Sequence, residues 1–150
     1  MKTRGFTLIE LLVVIAIIGS LSAIVVGAIT SGRQKAYDTK IKATLGNMRS
    51  QAALYYTDNS DYGVEISDGD CSVGMFTEPT FQSLLSSVDE ANAEGDAVCY
   101  TSDSSGGSNS NTCAVSSSLR TEPSDSWCVD SDGVGEIATA QIVSDNAVCQ

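Results

Sequence analysis

A chain of 150 residues has room for one compact domain and little more. It holds 8 Lys and Arg against 19 Asp and Glu, and no histidine. That excludes Ser-His-Asp and Cys-His catalysis and histidine metal sites, and it argues against nucleic-acid binding through a basic face.

The charge is unevenly spread. Residues 1–50 carry seven basic residues (Lys2, Arg4, Arg33, Lys35, Lys40, Lys42, Arg49) and two acids (Glu10, Asp38). Residues 51–150 carry Arg120 alone against seventeen acids. A basic, apolar end joined to an acidic, Ser/Gly-rich remainder implies two environments for one molecule.

The chain opens on a short basic stretch ending in glycine, Met1-Lys2-Thr3-Arg4-Gly5, followed by Phe6-Thr7-Leu8-Ile9-Glu10. Residues 11–32 then carry no charge. As a helix rising 1.5 Å per residue, that run spans about 33 Å, against a bilayer core of roughly 30 Å. Glu10 is out of place beside it. A carboxylate in an apolar helix costs about 2.5–3.5 kcal/mol at mid-membrane and less near an end. Either Glu10 snorkels to the interface or it awaits a positive partner.

Lys2 to Ile15 (KTRGFTLIELLVVI) closely resembles the leader and N-terminus of type IV pilins and type II secretion pseudopilins. The resemblance covers roughly the first 30 residues. It implies cleavage by a prepilin peptidase between Gly5 and Phe6, with N-methylation of the new amino group on Phe6. It also implies that Glu10 pairs with the N-terminal amine of a neighbouring subunit during assembly. The physics agrees, since a buried pair of this kind is satisfied only in correct register. Gly19 and Gly27 read either as ordinary close packing between membrane helices or, as in some pilin filaments, as the ends of a segment that unwinds. Many type IV pilins carry proline where Gly27 stands, so packing is the reading taken.

Two features pull the other way. Ser20-Leu21-Ser22-Ala23 resembles a signal-peptidase site after an apolar core. Arg33, Lys35, Lys40 and Lys42 follow the span, and by charge alone they would keep the remainder in the cytoplasm. The cysteines and the pilin-like leader favour export instead.

Beyond Gly32, Tyr37, Ile41, Leu45, Met48, Ala52 and Tyr55 recur at steps of three and four, the spacing of a helix with one apolar face. A single helix is therefore expected over 6–57, with 6–32 as membrane span and filament core. Asp58-Asn59-Ser60 should end it. The charges at 33, 35, 38, 40, 42 and 49 are assigned to its other faces, and the basic ones near 33–42 are expected to meet acidic lipid head groups or acids on a neighbouring head. Residues 58–76 read as loop. Glu78-Pro79 opens a short helix carrying Phe81, Leu84, Leu85 and Val88, fading by Gly95. Strands are expected at 97–101 and 112–116 around a Ser/Gly/Asn loop at 102–111, and at 127–130 before a turn at Ser131-Asp132-Gly133. The tail, 134–150, is expected to add an edge strand. The fold class is α+β: a long N-terminal helix packed on a small antiparallel head. Its parts are a leader at 1–5, the helix at 6–57 and an exported head at 58–150.

All five cysteines, at 71, 99, 113, 128 and 149, lie in the acidic part, and none forms a C-x-x-C pair. An exported, oxidised domain with a small core fits this usage. Sequence does not choose the pairing. Cys71–Cys99 with Cys128–Cys149 is preferred, the second because closing the C-terminal segment resembles the layout of many pilins. Cys113 is then free. The rival is Cys99–Cys113 across the expected hairpin. Asp130-Ser131-Asp132-Gly133-Val134-Gly135-Glu136 alternates oxygens as calcium loops do, and some pseudopilins bind calcium near their C-terminus. The full loop pattern is absent, however, and Asp-x-Asp-Gly is a common turn. No cofactor is therefore expected.

The expected role is that of a structural filament subunit and not an enzyme. Its partners would be copies of itself or other pilins, the prepilin peptidase, inner-membrane assembly machinery and the membrane, with no direct nucleic acid. It would be a single-pass membrane protein, head outside the cytoplasm, before it enters an extracellular or periplasmic filament. The alternatives are a type II secretion pseudopilin or, in another class, a non-polymerising anchored or secreted binding domain.

Overall fold

The computed structural model describes residues 5–92, 97–102, 110–138 and 147–149. Helix α1 runs Leu8–Asn59, 52 residues without a proline. It ends at Ser60, whose φ of 65° is left-handed and whose amide reaches back to the Tyr56 carbonyl at 2.7 Å. Such a residue stops a helix while satisfying one of its last carbonyls. The chain divides into two units, Met1–Gln34 and Lys35–Gln150.

In the N-terminal unit the large apolar side chains from Phe6 to Ile29 are exposed. Apolar residues stand on every face of this stretch, so no single neighbouring layer would cover it.

The C-terminal unit has a closed core. Its helical part buries Ile41, Leu45, Met48 and Ala52, at steps of four, three and four. Each large side chain buried this way contributes about 1.5–3 kcal/mol. The residue one turn earlier on this stripe is Asp38, and it is buried, whereas Tyr37 is exposed. The assignment of Asp38 to a face other than the apolar one is thus corrected. Asp38 accepts from the backbone N–H of Arg120 at 2.6 Å and of Thr121 at 3.3 Å, and from the Thr121 hydroxyl. A carboxylate sits on an apolar stripe because three donors of one turn satisfy it.

The expected loop at 58–76 contains the start of a 3-10 helix, Gly74–Thr77, which carries the buried Met75 and Phe76. Helix α2 spans Pro79–Ala91 and buries Phe81, Leu85, Val88 and Ala91. Pro79 starts it at a position where a missing N–H costs nothing. It ends at Ala91, and Gly95 lies outside the described residues.

Four strands follow: β1 Val98–Ser102, β2 Thr112–Ser118, β3 Ser126–Asp130 and β4 Gly135–Ala138. They pair in sequence order, every pair antiparallel. Most of the loop expected at 102–111, and residues 139–146 and 150 of the expected tail, lie outside the described residues. The register places Cys99, Val115 and Val129 in one row. These join the cluster containing Ile41, Leu45, Phe76 and Phe81. The opposite face carries Tyr100, Ala114, Cys128 and Ala138, covered by Ala147 and Cys149.

Disulfides join Cys71 to Cys99 and Cys128 to Cys149, and Cys113 is free and buried. The register sets Cys99 opposite Val115 and Cys113 opposite Thr101, so the rival pair does not face itself across the hairpin. Gly69, two residues before Cys71, has φ 84°, and a Cβ there would stand 2.5 Å from a Val98 methyl. Both the backbone and the space at that position therefore require glycine.

Candidate functional site

The start of α1 is built by a Thr-x-x-Glu sequence. The Thr7 backbone N–H donates to Glu10 Oε2 at 2.9 Å, and the Thr7 hydroxyl donates to the same oxygen at 2.7 Å. The Glu10 backbone N–H points back at Thr7 Oγ1, 3.3 Å away. This is a capping box, in which two orphan helix donors are satisfied reciprocally. The carboxylate also stands at the positive end of the helix dipole. Thr7-Leu8-Ile9-Glu10 carries that signal in plain sequence, but the role of Thr7 in holding the carboxylate was missed.

Gly5 and Phe6 immediately precede this box and lie ahead of the helix, with Phe6 75% exposed. An uncovered peptide bond outside regular structure is open to a protease. Behind the box stands one helix long and apolar enough to cross a membrane. Gly19 and Gly27 both lie within α1, and a Cβ at either would meet nothing within 4 Å. No contact within the described residues therefore demands glycine there. Lys2 and Arg4 of the expected leader lie outside the described residues.

Residues 1–29 match the family model described as the prokaryotic N-terminal methylation motif. The chain is also similar to the type IV wide pilus major component PilA4 of Thermus thermophilus, at 41% identity over 61 residues. That match covers 41% of this chain and 47% of the relative. It is similar to type II secretion system core protein G of Dickeya chrysanthemi, 39% identical over 61 residues, which are 41% of this chain and 40% of that one. The core protein G of Escherichia coli is 38% identical over 61 residues, with 41% and 42% covered. The chain thus spans less than half the length of these curated relatives. No solved structure matches it.

The basic residues after the motif divide by use. Lys40 pairs with Glu90 at 2.9 Å, and Lys42 lies 4.5 Å from the Trp127 ring centre. Arg49 donates to the carbonyls of Gly133 and Val134 at 2.9 and 3.5 Å. These three are engaged inside the C-terminal unit, the Lys40–Glu90 pair at its exposed surface. Arg33 and Lys35 are exposed. Arg120 stacks 3.9 Å over Tyr37, and its Nε donates to the Ala91 carbonyl. The cation thus sits at the negative end of α2.

The loop considered for calcium is organised by Asp130, which is buried. One of its oxygens accepts from the N–H of Asp132 at 3.1 Å and of Val134 at 2.9 Å. The other accepts from the N–H of Cys149 at 3.1 Å. Asp132 and Glu136 are exposed. Among the described residues no three His, Cys, Asp or Glu side chains are grouped to hold a metal.

Proposed function

We propose that this chain is a structural subunit of a type IV pilus-like filament. A prepilin peptidase cuts between Gly5 and Phe6 and methylates the Phe6 amine, and the apolar helix then leaves the membrane to form the filament core. The observation that carries this reading is a match to the methylation motif over residues 1–29 together with an uncharged helical run, residues 11–32, whose large apolar side chains are exposed on every face. Such a surface requires an apolar solvent or other helices of its own kind. Gly19 and Gly27, uncovered in the single chain, suit close approach between such helices.

Glu10 is the assembly residue in this reading. In the single chain Thr7 holds its carboxylate. In a filament the amine of a neighbouring Phe6 becomes its partner, and a misregistered subunit leaves a charge unpaired. The role is structural rather than catalytic. The partners are other copies or other pilins, the peptidase and the assembly machinery in the inner membrane. The C-terminal unit lies outside the cytoplasm, where its two disulfides form.

A second reading, a pseudopilin of a type II secretion system, is favoured by the relatives named core protein G. Both readings share the processing step. The test is the intact mass and N-terminal peptide of the protein from its native cell. N-methyl-Phe6 is expected. A new N-terminus at Ile24 would make it an ordinary secreted protein, and an intact Met1 an anchored domain that does not polymerise. Assay of Glu10→Ala then separates assembly from processing: it should still be cut at Gly5 and fail to enter filaments. A normal filament yield would overturn the assembly role.

A further inference from the structure

We propose that Asp130 selects Cys149 as the disulfide partner of Cys128. The two residues are two apart on β3, so their side chains leave the same face of the sheet. Cys128 lies in the cluster on that face, with Tyr100, Ala114 and Cys149. Cys99 and Cys113 belong to the cluster on the other face, with the helices. Cys71 packs against that same cluster and is bonded to Cys99, so once the sheet forms none of the three reaches Cys128 without leaving its place. The remaining candidate is Cys149, 21 residues away in sequence.

A thiol at that separation must be brought to its partner against chain entropy. Asp130 does so with the oxygen that accepts the Cys149 N–H at 3.1 Å. Its other oxygen is fixed by the amides of Asp132 and Val134, so the carboxylate is already oriented when the tail arrives. Ser116, directly opposite Cys128, is fully buried, and its hydroxyl makes no hydrogen bond among the described residues. The carboxylate, not this hydroxyl, orients the tail.

The exchange balances with a disulfide-form thiol oxidant. The Cys128 thiolate attacks glutathione disulfide and releases one glutathione thiol. The Cys149 thiolate then attacks the Cys128 sulfur of the mixed disulfide, forming the protein bond and releasing the second glutathione. Two electrons pass from the cysteine sulfurs to the oxidant, and the two thiol protons end on the two glutathiones. Asp130 raises the local concentration of Cys149 for the second attack and thereby the stability of the closed pair.

The test uses the full chain in detergent, equilibrated over a series of reduced-to-oxidised glutathione ratios, acid-quenched, alkylated and peptide-mapped. Equilibrium rather than rate is the readout, because a carboxylate also disfavours a nearby thiolate. Cys71–Cys99 serves as the internal reference. In Asp130→Asn the equilibrium constant of Cys128–Cys149 should fall about tenfold, the size of one hydrogen bond to a charged acceptor, while Cys71–Cys99 holds its value. Asp130→Ala should show a larger fall at the same pair. An equal loss at both disulfides would reduce Asp130 to a general stabilising residue, and no loss at either would remove the role altogether. Either result overturns the proposal.

Discussion

The two units of this chain use apolar side chains in opposite ways. From Phe6 to Ile29 the large ones are exposed, while on the same helix Ile41, Leu45, Met48 and Ala52 are buried. The difference lies in the pattern. The first stretch is apolar all round and has no face to give to solvent. The second keeps one stripe for the core and polar residues elsewhere, as a helix covering a single sheet must. One helix is thus matched to two surroundings, and a change in one unit should leave the other standing.

The largest effects belong to the core. Phe76 and Leu45 are fully buried in the C-terminal unit. Phe76→Ala should cost about 3–5 kcal/mol and Leu45→Ala about 2–5, read as a fall in the denaturant midpoint of that unit. Insertion of the N-terminal helix into detergent or vesicles should not change. Loss of insertion would break the separation between the units. Thr7→Val makes the converse test. It removes the hydroxyl that holds Glu10 and leaves the melt of the C-terminal unit unchanged. Filament yield should fall, though less than in Glu10→Ala, which removes the charge itself.

Next in size is Asp38. Replacement by Ala leaves the backbone N–H groups of Arg120 and Thr121 without their acceptor. Arg120 is only partly buried and Thr121 is exposed, so water replaces part of the lost acceptor, and a loss of about 1–2 kcal/mol in urea is expected. Asp38→Asn, which keeps one acceptor oxygen, should lose less.

Asp38 also marks where sequence reading stops. The three-and-four spacing back from Ile41 points at position 38, but the residue there is an acid, and one-dimensional patterning assigns acids to water. What buries it is a turn 82 residues away. Asp130 is similar: as Asp-x-Asp-Gly it announces a turn, but its bond to Cys149 depends on a residue 19 positions further on lying against the same sheet face. By contrast the apolar run and the α2 stripe are legible because their signal, the spacing of like residues, lies within a few turns of one helix. The strands were legible too, from β-branched residues and turns. Burial of both sheet faces was not, because among the described residues the second face is covered by Ala147 and Cys149 from the tail.

A smaller effect comes from Cys113 and Tyr62, which stand next to each other in the core of the C-terminal unit. Burial, with Asp130 nearby, pushes the Cys113 thiol from 9.0 up to about 12. Burial, with Cys113 and Tyr56 nearby, pushes the Tyr62 phenol from 10.0 up to about 12. Both groups hold their protons in the folded state at pH values where the unfolded chain releases them. The folded state therefore binds more protons, and stability must fall as pH rises through that window. Urea midpoints should be level to about pH 9 and then decline toward pH 12. Cys113→Ser should flatten the part that starts near pH 9, leaving the part that starts near pH 10 to Tyr62. The native thiol should also resist alkylation at pH 8, because it is buried and protonated.

The smallest effect should be that of calcium. A calcium loop needs carboxylate oxygens free to converge on the ion. In Asp130 both oxygens are held by backbone amides, and one of those amides belongs to the disulfide-closed tail. Binding would have to break those bonds and release the tail it is meant to stabilise. Millimolar calcium or chelator should therefore leave the melting temperature of the C-terminal unit unchanged. A rise with calcium in the parent chain that disappears in Asp132→Asn would show that Asp132, exposed at the turn, gathers ligands Asp130 does not supply, and that the turn rearranges around the ion.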